Sequence, residues 1–372
     1  MENPVYMDHN ATTAVRPAVK DAVARALDLT GNASSVHASG RGVRKLVEDA
    51  REQVAALVGA RPAGIVFAAG GTEANTLAIR GSAGKRIVVS AVEHASVLKA
   101  ADEAEIIPVD ADGVVDLDAL EANLIENGDA ALVSVMLANN ETGVIQPIAA
   151  VSALAHKYGA LVHCDAVQAA GKIPVDMKAL GIDMLTLSAH KIGGPQGVGA
   201  LVLSGEQKLI PIIRGGGQER GRRAGTENLP GIAGFGVAAA EALSRLSDFN
   251  RLSTWRERIE AELTRHQGAR VFGVGAPRVA NTTCLSMPGV TAEQQMIALD
   301  LAGIAVSAGS ACSSGKVEPS PVLAAMGVNA EEAATAIRVS MGWSTSEQDV
   351  ERFINAWIDV HARATDKDRT AA

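Results

Sequence analysis

Between residues 65 and 203 the chain alternates short, largely apolar runs with helical patterns. The runs lie at 65–67, 86–90, 106–109, 131–137, 160–165 and 185–188, and helical periodicity fills 73–80, 117–126 and 151–158. A run that is apolar at nearly every position is buried on both faces. Such runs, joined through helices, build a mostly parallel sheet flanked by helices, so the fold class is α/β. The run 198–203 follows its predecessor too closely for a crossover connection and is expected to lie antiparallel to it. Aromatic residues make up only 3% of the 372, so packing must rest on Ala, Val, Leu and Ile.

Ligands in open parallel sheets sit beyond the carboxyl ends of the strands. Thr72, His94, Asn140, Asp165 and Lys191 each follow the end of a run. Any one of them reads equally as a cap or a turn residue, but five polar groups on one rim point to a site. Gly70-Gly71-Thr72 opens a helix, where free N–H groups suit a phosphate, although Thr72 alone reads as an ordinary helix cap. Ser188-Ala-His190-Lys191 then breaks into Gly193-Gly-Pro-Gln-Gly197. An amine among apolar neighbours has a lowered pKa and forms a Schiff base with an aldehyde. With a hydroxyl, an imidazole and glycine N–H groups beside it, the amine suggests pyridoxal phosphate (PLP). The same stretch also reads as a strand end with an exposed lysine in a glycine turn.

Residues 1–15 read as an extended arm, with helices expected at 17–28 and 40–58. Helical sequence from about 232 to 266 breaks near Asp248, which divides the chain into a large domain, 16–248, and a small α/β domain, 249–372, against which the arm packs. The glycine-rich, locally basic segment 215–228 reads as a surface loop or an anion contact. Cys164 and Cys284 lie inside apolar runs and read as core residues. Cys312 lies in Ser310-Ala-Cys-Ser-Ser-Gly315, where small polar neighbours leave a thiol accessible, as a nucleophile or as a loop residue without a role. Three scattered cysteines with no C-x-x-C pattern fit neither a disulfide frame nor a zinc site. With no signal-peptide pattern at the start they point to the cytoplasm. The net charge of −8 and the lack of a basic run argue against direct nucleic-acid binding, and no run is long enough to cross a membrane.

Taken together, these motifs resemble the cysteine desulfurases of the NifS/IscS type, in the PLP-dependent class V aminotransferase group. The most specific pieces are Ser188–Lys191 with Gly194-Pro-Gln-Gly197, and Ser310–Gly315 with Glu318-Pro-Ser320. Supporting pieces include Asn10-Ala-Thr-Thr13, Glu93-His94, Asn139–Gly143, Asp165-Ala-Val-Gln168, Arg222–Thr226 and Arg338-Val-Ser340. The resemblance implies the PLP-dependent transferase fold of type I and a homodimer that turns L-cysteine into L-alanine. It implies that Lys191 holds PLP as a Schiff base, Asp165 pairs with the ring nitrogen and His94 stacks on the ring. Gln168 and Asn140 are implied to contact the ring hydroxyl or substrate. Gly71, Thr72, Ser188 and His190 are implied to hold the phosphate, with Thr226 reaching over from a partner subunit. Arg338 is implied to grip the substrate carboxylate, aided by Asn32, and Cys312 to take the sulfur as a persulfide for an acceptor such as an iron–sulfur scaffold protein. Ala33 follows Gly31-Asn32 where the family often has proline, which weakens only the role of Asn32. A selenocysteine lyase, another class V enzyme or a sulfur donor for tRNA thiolation would share most of these residues.

Overall fold

The computed structural model describes residues 4–82, 84–127, 131–205, 207–265, 268–309 and 320–371, the side chains of 365–371 excepted. In chain order the strands are Val5–Tyr6 (β1), Ile65–Ala68 (β2), Arg86–Ser90 (β3), Ala104–Ile107 (β4), Ala131–Ser134 (β5), Leu161–Asp165 (β6), Met184–Ser188 (β7) and Gly199–Leu203 (β8), followed by Arg270–Val271 (β9), Thr282–Ser286 (β10), Ile304–Ala305 (β11), Ser307–Ala308 (β12) and Ala336–Ser340 (β13).

Seven strands form the main sheet in the order β2-β8-β7-β6-β5-β3-β4. Neighbours from β7 to β4 run parallel, while β8 is antiparallel to both β7 and β2, as its short connection requires. The order reverses direction between β5 and β3, and the carboxyl ends of β5, β6 and β7 open on one rim. β5 is shorter than the apolar run 131–137 suggests. On the β3 side its ladder ends at Ser134, and the Met136 N–H goes to the Glu93 carboxyl group (2.7 Å), while the N–H groups of Val135 and Leu137 still meet the β6 carbonyls of His163 and Asp165.

β2 is an edge strand whose Phe67 N–H would face outward unpaired, and Glu219 accepts it at 3.0 Å. The same carboxylate takes both guanidinium nitrogens of Arg51, at 2.9 and 3.0 Å, and the two side chains are only 7% and 3% exposed. Glu219 and Arg220 adopt left-handed backbone (φ 47° and 59°), which non-glycine residues hold only when their surroundings impose it. The buried fork thus fixes the loop between Arg214 and Asn228 against the sheet edge.

A second sheet, β12-β13-β10-β9, is antiparallel throughout. Its core gathers Leu285, Val339, Phe353 and Trp357, with Leu252 and Ile259 from the helix Leu252–Thr264. Phe353 and Trp357 lie on the last helix, which begins at Glu347 behind a reciprocal cap between Ser346 and Asp349. Val5 and Met7 join this core, and β1 pairs in parallel with β11. Residues 5–7 are therefore held by β11 and by the core of the second sheet, yet the chain then crosses to the rim of the first, where the Thr13 N–H meets the His190 carbonyl (3.0 Å).

Arg51→Ala leaves Glu219 charged, buried and unpaired, and is expected to cost about 3–5 kcal/mol. Chemical denaturation of the variant should show a matching fall in unfolding free energy; an unchanged curve would mean the fork is not a structural anchor.

Candidate active site

The rim of the main sheet and the edge of the second enclose a cavity of about 350 Å³. Ten of the sequence candidates line it: Gly71, Thr72, His94, Asn140, Asp165, Gln168, Ser188, His190, Lys191 and Arg338. Thr226 lines a separate, smaller cavity of the same chain beside Arg223 and Asn228. Asn32 is not among the lining residues; its side-chain oxygen accepts the Ser34 N–H (2.8 Å) within its own loop. Cys312 lies outside the described residues, although Gly309 lines the cavity.

Lys191 is not a solvated turn residue. β7 ends at Ser188, a short 3-10 turn carries Lys191, and its amine donates to the carbonyl oxygens of Asn10 and Ala11, the latter at 2.8 Å. The glycine that follows is needed for close approach: Gly193 has φ 86°, and a Cβ there would lie 2.8 Å from Cγ of Arg16.

Asp165, at the end of β6, is buried, and each of its oxygens accepts one hydrogen bond. Its Oδ1 accepts the Val167 N–H (2.9 Å) and its Oδ2 accepts from Asn75 Nδ2 (2.8 Å). His94 caps the short helix Ala95–Leu98, and its Nδ1 accepts the Ser96 N–H at 3.1 Å. A neutral ring bonded this way carries its proton on Nε2. Burial pushes the His94 pKa below the ordinary imidazole value, Asp165 pulls it back in part and Lys191 lowers it again. His190 bonds Thr12 Oγ1 (3.2 Å), and burial, aided by Lys191, holds its pKa down to about 4. Both imidazoles in the cavity are therefore neutral at neutral pH.

The second sheet contributes a guanidinium to the cavity. Arg338 on β13 donates from NH2 to Asp8 Oδ1 (2.7 Å) and from NH1 to the Asn140 carbonyl (3.2 Å). Its Nε is buried and meets no acceptor among the described residues. At another wall the helix Gly71–Gly81 begins with Gly70 as its N-cap and no capping side chain, so Thr72 is not the cap. A Cβ on Gly71 would lie 3.1 Å from Val167 Cγ2, so glycine keeps this part of the cavity open. Uncapped N–H groups at a helix start, beside the hydroxyl of Ser188, suit an anion.

Several contributors were not singled out as site residues from sequence. Asn75 is a buried asparagine on an otherwise apolar helical face (Ala74, Leu77, Ala78), a pattern that could have marked it. Asp8 and Asn10 stand in the arm, where only their contacts with distant residues reveal a role.

The Aminotransferase class-V family model matches residues 5–353. A cysteine desulfurase of Cereibacter sphaeroides is 44% identical over 366 residues, covering 94% of each chain. A cysteine desulfurase IscS of Dictyoglomus turgidum is 41% identical, covering 100% of this chain and 96% of its own. Among solved structures, a NifS-like protein from Rickettsia africae superposes with a TM-score of 0.91 at 38% identity, covering 97% of this chain and all of its own.

Glu93, next to His94, supplies a pH test of the buried wall. Its Oε1 accepts from Ser90 Oγ (2.6 Å) and Met136 N (2.7 Å), while Oε2 is buried with no partner among the described residues. Burial pushes its pKa up to about 8, against an ordinary value of 4.5. Between those values the folded protein holds a proton that the unfolded chain has released, so stability falls as pH rises through that window. Glu93→Gln removes the titration. The stability of the variant relative to wild type should therefore rise by a few kcal/mol from about pH 5 to about pH 8. A difference that is flat across that range would contradict a dry carboxyl group at this position.

Proposed function

The chain belongs to the class-V aminotransferase family, and from that premise we propose that it is a PLP-dependent cysteine desulfurase of the NifS/IscS type. The observation that carries the reading is the convergence of Lys191, Asp165 and Arg338 on one cavity from two different sheets. An amine, a buried carboxyl group and a guanidinium with an orphaned N–H are the set that a PLP enzyme needs for an amino-acid substrate.

The residues fit the cofactor. The cavity volume is in the range that takes small ligands, and Gly71 leaves the uncapped helix start accessible to a phosphate. Gly71, Thr72, Ser188 and His190 would hold that phosphate, Asp165 the ring nitrogen, and Gln168 and Asn140 the ring hydroxyl or the substrate. When bound, PLP supplies an aldehyde for the amine to condense with and a ring that takes up electrons.

The protein's own groups then have distinct tasks. Lys191 Nζ holds and moves a proton. Asp165, kept in place by Asn75 and the Val167 N–H, presents a fixed carboxyl group. His94 offers its Nε2 proton while its Nδ1 stays tied to Ser96. Arg338 binds the substrate carboxylate through those of its N–H groups that face the cavity. The Cys312 thiolate attacks the substrate sulfur as the C–S bond breaks, forming an S–S bond, and the electron pair left on carbon is protonated to give alanine. Gly309 on the cavity wall stands three residues before Cys312, and three residues of chain span at most about 11 Å.

The persulfide sulfur passes, in this reading, to an acceptor protein such as an iron–sulfur scaffold, in the cytoplasm. The active form is a homodimer in which Thr226 completes the partner's phosphate site; Thr226 lies outside the main cavity of its own chain, which leaves it available for that role. The division into an arm (1–15), a large domain (16–248) and a small domain (249–372) is supported by one core cluster that gathers Leu252 to Trp357 with Val5 and Met7, apart from the clusters on the two faces of the main sheet.

Given cysteine and a reductant, the PLP-loaded protein should release alanine and sulfide in equal amounts, and Cys312→Ala should release very little sulfide. Transamination without sulfide would point to another class V activity. Arg338→Ala should lower kcat/KM for cysteine by about 10- to 100-fold, the loss expected for one charge-assisted contact, and steady-state kinetics would detect its absence.

A further inference from the structure

Lys172 is a buried amine to which the mechanism above gives no task. It is 4% exposed and lies just behind the cavity wall. Its Nζ donates to Asn10 Oδ1 (2.8 Å) and to Gln168 Oε1 (2.7 Å), and neither partner is a carboxylate. Burial first, then the positive charges of Lys191 and Arg338, hold its pKa well below the ordinary lysine value. A polar group kept in such a place costs stability that an apolar residue of the same length would not. Its partners suggest what that cost supports.

Both partners lead to Lys191. The Asn10 carbonyl that receives the Lys191 amine also accepts from Gln168 Nε2 (2.9 Å). Lys172 therefore holds the side chain of Asn10 directly and its carbonyl through Gln168, closing a ring of hydrogen bonds around that residue. It also decides which way the Gln168 amide faces: with the oxygen on Lys172, the NH2 group is directed to Asn10 and the cavity. Asn281 Nδ2 adds a second contact to Asn10 Oδ1 (3.2 Å), and Ser340 Oγ accepts the Asn10 N–H (2.9 Å). These two, with the bond from Asn10 Nδ2 to Thr282 Oγ1 (2.9 Å), tie Asn10 to the second sheet, but among the described residues only the Lys172–Gln168 pair ties it to the segment that follows Asp165.

We propose that Lys172 is a positioning residue for Lys191, acting through Asn10 and Gln168 to fix the carbonyl on which the Lys191 amine rests. The proposal rests on the PLP reading for its spectroscopic test. The wild-type arm of the experiment reports on that reading, and the difference between variant and wild type reports on Lys172.

The test compares wild type with Lys172→Met and Lys172→Gln. Three quantities are measured: the melting temperature of the apoprotein, the pH midpoint of the visible absorbance after loading with PLP, and kcat and KM for cysteine. The titratable and charged groups facing the two amines are His9, His94, His190, Asp165 and Arg338, and all are retained in each protein. Lys172→Met should melt at or above the wild-type temperature. Its absorbance midpoint should move by about half a pH unit or more, and its kcat should fall about ten-fold with KM changed by less than about three-fold. A folded Lys172→Met with the wild-type midpoint and kcat overturns the proposal. So does a kcat loss that follows a lower melting temperature while the midpoint stays fixed, since that is a structural effect alone. If the methionine variant does not fold, the glutamine variant decides by the same midpoint and kcat.

Discussion

The amine of Lys191 rests on two backbone carbonyls, those of Asn10 and Ala11, about 180 residues away in sequence. Carbonyl oxygens accept from an amine without placing a counter-charge beside it. They also make the cavity conditional on the arm: the stretch from Asp8 to Thr13 closes one wall, and without it Lys191 would face solvent. The arm is held from the other side by β1–β11 pairing and by the Ser340 contacts of His9 and Asn10. The site is therefore complete only where three separate pieces of chain meet.

Charge around the cavity is sorted by position. Asp165 with Asn75 belongs to the main sheet and its helix, and Arg338 on the second sheet pairs with Asp8 of the arm. Behind the wall burial keeps titratable groups in their neutral forms: His163, bridged between Ser134 and Thr186, has its pKa pushed down to about 4, and Glu93 has its own pushed up to about 8. A dry surround of this kind strengthens the few charges that remain, because no water screens them. Asp8 already occupies one edge of the Arg338 fork, so the guanidinium is held in one orientation, as the proposed substrate contact requires.

Much of this was legible from local pattern. Continuous apolar runs gave the parallel strands, and the polar residue at the end of each run gave Asp165, His94 and Lys191, because the carboxyl rim of such a sheet is fixed by topology. The short link before β8 gave its antiparallel direction. What local pattern could not give were contacts between distant segments. Asn10 reads as a turn residue until Lys172, Lys191 and Thr282 are seen around it. Lys172 is not singled out by sequence, since nothing in Gly171-Lys-Ile-Pro174 announces that its amine is buried. β5 is shorter than its apolar run because on the β3 side a side chain, Glu93, takes the Met136 N–H that a longer ladder would have used. Asn32 rests on the resemblance alone, and its side-chain oxygen accepts the Ser34 N–H within its own turn.

The most direct test of the account is chemical. Purified protein is incubated with PLP, reduced with borohydride, digested and mapped by mass spectrometry. The account requires one pyridoxyl group per chain, attached to Lys191, with Lys172 unmodified. A label on another lysine, or none, would contradict it.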